Sequence, residues 1–258
     1  MPKIITQNKA TLLFIILGSF FIANALIAEF IGVKIFSLEK VFGLDPVNFT
    51  ILGQSGLSFN LTAGVLLWPV VFIMTDIINE YYGTKGVRLL SFLAAGLVAY
   101  AFIMFFFAIG LSPADFWIGS KESSGISNMN TAYSVIFGQG LWIIIGSLIA
   151  FLFGQIIDVY VFHKLKKMTG EKYIWLRSTG STLVSQFIDS FIVLFIAFYI
   201  GSNWSFALVL AIGIVNYIYK FTMAIILTPV IYWVHEAIEK YLGHELAKEL
   251  KDEAMANS

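Results

Sequence analysis

Six stretches of the chain stay predominantly apolar for about 20 residues or more: 12–35, 60–81, 87–111, 132–161, 177–200 and 205–235. About 20 apolar residues cross the hydrocarbon core of a bilayer, so each stretch predicts a transmembrane helix and the chain an all-α, polytopic integral membrane protein. The fourth and sixth stretches exceed one crossing, which implies tilt or continuation into water. Two connections are long and polar, 37–60 and 112–131, and the others are short. Residues 1–240 are expected to form one six-helix transmembrane domain. Residues 241–258 form a charged tail, including Glu245, Lys248 and Glu249, expected to extend the last helix into water without chemistry of its own. The first apolar stretch follows Lys3 and Lys9 and contains Ala23-Asn24-Ala25, a string like a signal cleavage site. It runs on to about Phe36, beyond the 7–15 residues of a signal h-region, so a retained helix is predicted.

Composition agrees: 59% of residues are hydrophobic, 12% charged, and the mean hydropathy is +0.85. A soluble domain carries about twice that charge. There are no cysteines, hence no disulfide framework and no thiolate chemistry. The formal net charge is zero, and no basic domain points to nucleic acid. The cations are unevenly placed, however. Lys3, Lys9, Lys85, Arg88, Lys164, Lys166, Lys167, Lys172, Arg177, Lys240, Lys248 and Lys251 flank one side, against Lys34, Lys40 and Lys121 on the other, 12 to 3, with Lys220 inside a span. The positive-inside rule then places both termini in the cytoplasm of a multi-pass protein of the inner membrane. Trp117 and Trp204 are expected at the outer interface, Trp175 and Trp233 at the inner one.

Within the spans, polar groups mark positions that lipid does not favour. The string Met74-Thr75-Asp76-Ile77-Ile78-Asn79-Glu80-Tyr81-Tyr82-Gly83 closes the second span and puts Asp76 and Glu80 on one helix face beside Asn79. Gln155-x-x-Asp158 and Gln186-x-x-Asp189 repeat one i, i+3 pattern in helices four and five; Asn216 and Lys220 are i, i+4 in helix six. Asn24 and Glu29 lie in helix one. Each has a plainer reading. Asp158 precedes a lysine run and fits the headgroup layer; Glu80 fits a solvated interface; Glu29 fits an outer helix end; Asp189 and Lys220 fit a structural buried pair. Pro69 and Pro229, inside the predicted second and sixth helices, predict kinks beside a cavity, and Trp68 offers a ring face either to a planar ligand or to a neighbouring helix. Catalysis is not expected. His163, His235 and His244 lie at span ends or in the tail, so neither a zinc pair nor an activated Ser181 arises within the membrane.

Taken together and in order, these strings resemble the queuosine precursor transporter family, also grouped as vitamin uptake transporters. The resemblance runs from Asn24 to about Trp233. It rests on Thr75–Gly83, on Gly154-Gln155-Ile156-Ile157-Asp158, on Arg177-Ser178-Thr179-Gly180-Ser181 leading into Ser185-Gln186-Phe187-Ile188-Asp189-Ser190, and on Asn216-Tyr217-Ile218-Tyr219-Lys220. It implies six helices and import of 7-deazaguanine precursors, such as 7-cyano-7-deazaguanine and its aminomethyl analogue. A guanine-like edge offers adjacent N–H donors to a carboxylate and acceptors to a lysine or amide. The substrate-binding candidates are therefore Gln186, Asp189, Asn216, Lys220, Asp76, Asn79, Glu80, Gln155, Asp158 and Asn24. No cofactor or metal is expected. The intramembrane carboxylates can serve a coupling proton or the ligand, and the chain can act as a secondary importer or as the binding subunit of an ATP-driven system. Lys220 is expected to pair with Asp189, because the short 201–205 connection forces their helices antiparallel, or with Asp76 at a similar depth.

Overall fold

The computed structural model describes residues 8–170 and 173–256; Lys3 and Lys172 of the cation count lie outside them. In chain order the longer helices are α1 (Lys9–Ile31), α3 (Trp68–Ile109), α5 (Met129–Phe137), α6 (Leu141–Thr169), α7 (Ile174–Leu194), α8 (Phe206–Ile226), α9 (Thr228–Leu242) and α10 (His244–Ala256), with short helices α2 (Leu38–Val41) and α4 (Asp115–Ile118) in the two long connections. Among the described residues, five helical stretches are long and apolar enough to cross a membrane: Lys9–Ile31, Trp68–Ile109, Met129–Thr169, Ile174–Ile200 and Phe206–Ile226.

The difference from six predicted segments lies in α3, which contains two of them. Gly83 interrupts α3 with φ 66° and ψ −172°, a backbone that side chains disfavour. The chain turns back there. Thr75 and Ser91 would stand about 24 Å apart in a straight helix, yet both hydroxyls reach Oε1 of Gln155, at 3.0 and 3.4 Å. A Cβ on Gly86 would likewise meet Ile78, eight residues earlier, at 3.6 Å. The two arms, 68–82 and 84–109, are thus a tight helical hairpin. The first is only 15 residues, about 22 Å, because the predicted start at residue 60 is wrong. Asn60–Thr62 pairs as an antiparallel strand with Ile35–Ser37, and Ala63–Leu66 is a 3₁₀ turn. The same strand pairing ends α1 at Ile31, short of the expected 35.

Neither proline kinks a helix interior. Pro69 and Pro229 each occupy the first turn of a helix, α3 and α9, where no backbone N–H is needed. The long fourth and sixth segments break instead at Gly138–Gly140 and at Leu227. α7 runs on through a π-helical turn, Phe195–Ile200.

The main core packs Leu13, Leu17 and Phe21 of α1 against Ile77, Tyr81 and Leu90 of α3, Phe151 of α6, and Ile238 and Leu242 of α9. Outside it, the 37–60 connection folds into the strands Phe49–Ile51 and Gln54–Leu57. Their two-residue turn, Leu52-Gly53, has both φ angles positive, as tight hairpins require. Glu39 pins this segment by accepting from the Phe59 N–H at 2.8 Å and the Ser37 hydroxyl at 3.0 Å. The tail is not simply solvated. α10 buries Ala247 in the main core and Ala254 against the turn at Gly83, where a Cβ would come 3.0 Å from the Ala254 carbonyl oxygen, while Glu245, Lys248 and Glu249 stay exposed.

Candidate functional site

One face of α7 carries a polar column: Arg177, Ser178, Ser181, Thr182, Ser185, Gln186 and Asp189 recur at spacings of three and four, so they align along about 18 Å of helix. Three polar groupings form along it, one completed by α8 and two by α3 and α6.

At one end, Asp189 meets Lys220 of α8, Nζ to Oδ2 at 2.5 Å, with the two side chains 17% and 12% exposed. The antiparallel packing expected from the short connection brings them together. Gln186, one turn away, is buried and its Nε2 has no hydrogen-bond partner among the described residues. Gln186 and Lys220 line a cleft with Trp68, Pro69, Phe72 and Thr182; its freely enterable space is about 20 Å³, room for one water. Pro69 therefore does border a cavity, although it starts the helix rather than bending it, whereas Pro229 is not among the residues lining this cleft.

In the middle, Asp76 of α3 and Asp158 of α6 are completely buried. Ser178 donates to Asp76, as do Ser181 and Thr182, each at 3.3 Å; Ser185 donates to Asp158 at 3.0 Å. Neither carboxyl has an ion-pair partner among the described residues: hydroxyls surround them, and the two carboxyls themselves lie within hydrogen-bond reach of one another. Asp158 is thus far from the solvated headgroup position that its lysine-rich neighbourhood allowed.

At the other end, Glu80 accepts from Arg177 twice, at 2.8 and 3.2 Å, and meets Lys166 at 3.1 Å. All three side chains are at most 4% exposed. Lys166 and Arg177, counted as flanking cations, are internal. Glu80 is neither solvated nor free for a ligand. Around it, the ring nitrogen Nε2 of His163 lies 2.7 Å from the Asn79 amide oxygen, and the Tyr81 hydroxyl lies 3.1 Å from Nδ1 of His235. Lys251 of α10 sits over the Tyr81 ring, 5.4 Å from its centre. Apart from Tyr82, which is half-buried and donates to the Ala10 carbonyl of α1, the string from Asp76 to Gly83 is buried.

Three candidates fall outside these groupings. Asn24 gives its amide to the Phe20 carbonyl of its own helix at 2.8 Å. Asn216 is half-buried on α8 and does not line the cleft. Gln155 lies against Thr75 and Ser91, on the side of α6 that faces the α3 hairpin. Glu29, expected at an outer mouth, is buried and accepts from the Ser147 hydroxyl. Sequence reasoning passed over the hydroxyls of α7 and the cations Lys166 and Arg177. The i, i+3, i+4, i+7 recurrence of Ser178, Ser181, Thr182 and Ser185 was the available signal; for Lys166, flanked by Lys164 and Lys167, there was none.

The family model described as "Putative vitamin uptake transporter" matches residues 62–234. The chain belongs to the vitamin uptake transporter family. Three named relatives agree with that assignment. A "Probable queuosine precursor transporter" of Bacillus subtilis (strain 168) is 35% identical over 67% of this chain and 72% of its own length. One of the same name from Haemophilus influenzae is 28% identical over 77% and 80%, and the "Queuosine precursor transporter" of Escherichia coli (strain K12) is 26% identical over 86% and 91%. No solved structure gave a significant match. This vitamin uptake transporter is a multi-pass membrane protein. The matched region holds all three groupings on α7 but neither Asn24 nor α10.

Proposed function

We propose that this transporter imports 7-deazaguanine precursors of queuosine by alternating access, with the Asp189–Lys220 pair and Gln186 as the substrate-reading groups. The observation that carries this reading is the unsatisfied amide of Gln186 beside a partly exposed ion pair, at a cleft walled by Trp68. A guanine edge presents adjacent N–H and NH2 donors that one carboxylate accepts together, and its carbonyl accepts from an ammonium or amide. Substrate thus replaces the Lys220–Asp189 contact with one bond to each partner, while the indole of Trp68 faces the ring. Pockets that read hydrogen bonds in this way reject analogues lacking them.

A cleft with room for one water must widen before a bicyclic base enters, as a site between two access states does. Six crossings are proposed, the two arms of α3 each counting as one, with both termini cytoplasmic. Asp76 and Asp158, set among hydroxyls and against each other with no cation beside them, are the groups we assign to a coupling proton.

Uptake of a panel of deazapurines by cells unable to make queuosine tests the substrate. Accumulation of the cyano or aminomethyl compound, lost in Lys220→Met at normal membrane abundance, is the expected result; equal uptake with and without the transporter overturns it. Co-purification of an ATPase pair essential for that uptake would replace secondary import by an ATP-driven system. Orientation has its own test: cysteines at Ser55 and Ser123 should react with an impermeant reagent on intact cells, and labelling only after lysis reverses the topology.

A further inference from the structure

A second cavity, of about 750 Å³, lies between the 84–109 arm of α3 and α6, away from the Gln186–Lys220 cleft. Lys85, Arg88, Lys164 and Lys167 line one end of it, and no aspartate or glutamate is among its lining residues. None of the four cations forms an ion pair among the described residues. Lys166, which points the other way, is taken by Glu80. Four uncompensated positive charges facing one space create a site for a polyvalent or phosphate-bearing anion.

A second observation is independent of the charges. Two nearly fully buried side chains on the same wall, Gln155 and His163, each leave one nitrogen, Nε2 and Nδ1, without a hydrogen-bond partner. Buried polar atoms are normally satisfied, so this wall keeps hydrogen-bonding capacity that its own residues leave unused.

The shape decides which anion. One to three helical turns from the cations, on the span side, the cavity is lined by Phe92, Ile156 and Tyr160, each more than half exposed on the protein surface. In a membrane-spanning helix pair that exposure faces lipid. A small soluble anion has no use for an apolar flank opening sideways into the bilayer; a molecule with a phosphate at one end and acyl chains at the other fits both. We infer that this groove is a binding site for an anionic glycerophospholipid, its phosphate held by Lys85, Arg88, Lys164 and Lys167 and its chains lying along Phe92, Ile156 and Tyr160. Basic pockets between transmembrane helices recognise anionic headgroups by this charge logic.

The test uses the full-length protein in a neutral detergent, titrated with phosphatidylglycerol or with phosphatidylcholine of the same chains, bound lipid being counted by native mass spectrometry. Phosphatidylglycerol should be retained in preference to phosphatidylcholine. Arg88→Gln with Lys164→Gln should weaken it about 25-fold, about fivefold per cation removed, whereas Arg88→Lys with Lys164→Arg and the distant pair Lys240→Gln with Lys248→Gln should bind as wild type. All four side chains changed in the two Gln variants are exposed, and an unaltered melting temperature in detergent without lipid shows that each variant is folded. Equal retention of the two lipids, unchanged binding in the Arg88/Lys164 Gln variant, or displacement of phosphatidylglycerol by inorganic phosphate overturns the inference, the last by showing a soluble-anion site.

Discussion

The two ion-pair sites that α7 carries at its opposite ends are built on opposite principles. Glu80 is locked by two cations, Arg177 in a bidentate grip and Lys166 beside it, in a pocket that excludes solvent. Asp189 has one cation, one short contact, partial exposure, and a neighbouring amide left unpaired. A fully matched buried charge holds helices together but has nothing left to offer a ligand. An under-matched one at a cleft can exchange its partner. The comparison separates a closed ion-pair cluster from an open one more sharply than the sequence could, where Glu80 also fitted a solvated interface and Asp189 a buried structural pair.

The largest effect should come from breaking the closed cluster. Glu80→Gln leaves Arg177 and Lys166 in a dry pocket without their carboxylate, a loss of about 3–5 kcal/mol, visible as a collapse of melting temperature and membrane abundance. Adding Lys166→Met to it should recover part of that stability, because one of the stranded charges is removed. If Glu80→Gln is as stable as wild type and fails only in uptake, Glu80 is a ligand group and the contrast disappears.

The open pair should behave in the reverse way. Asp189→Asn and Gln186→Ala are expected to lose about 10- to 150-fold in apparent affinity for the deazapurine, the worth of a hydrogen bond to a charged group, about 1.5–3 kcal/mol. Their melting temperatures should fall far less than that of Glu80→Gln. A double-mutant cycle of Asp189→Asn with Lys220→Met, read by melting in detergent, should show a coupling of about 0.5–3 kcal/mol. Strict additivity would dismiss the pair.

The smallest effect comes from the turn next to the closed cluster. Gly83→Ala places a side chain at φ 66° and ψ −172°, backbone open essentially to glycine alone, at about 1–3 kcal/mol, and pushes its Cβ toward the Ala254 carbonyl. Melting should drop modestly, with faster amide exchange in α10 and near-normal uptake, because no cleft residue moves. A larger loss of uptake than of stability would tie α10 to transport.

Read alone, the chain established that it crosses a membrane, roughly where its helices lie, and which polar residues sit inside them, because hydrocarbon imposes length and polarity on every segment independently of its neighbours. The Lys220–Asp189 contact was legible for a related reason: a short connection constrains two successive helices to pack side by side. The family strings pointed to the right family too. What the chain did not reveal was who meets whom across distant segments. That Thr75 and Ser91 share Gln155 depends on one glycine reversing a helix. That Glu80 is enclosed while Asp189 is available depends on Lys166 turning inward and on α10 folding back over Tyr81. A lysine beside two others reads as solvated, and only packing chooses which of the three faces a buried carboxylate. Segment-level properties follow from the solvent each residue type tolerates; partner choice is a property of the assembled bundle, where the pairing of every buried charge is settled at once.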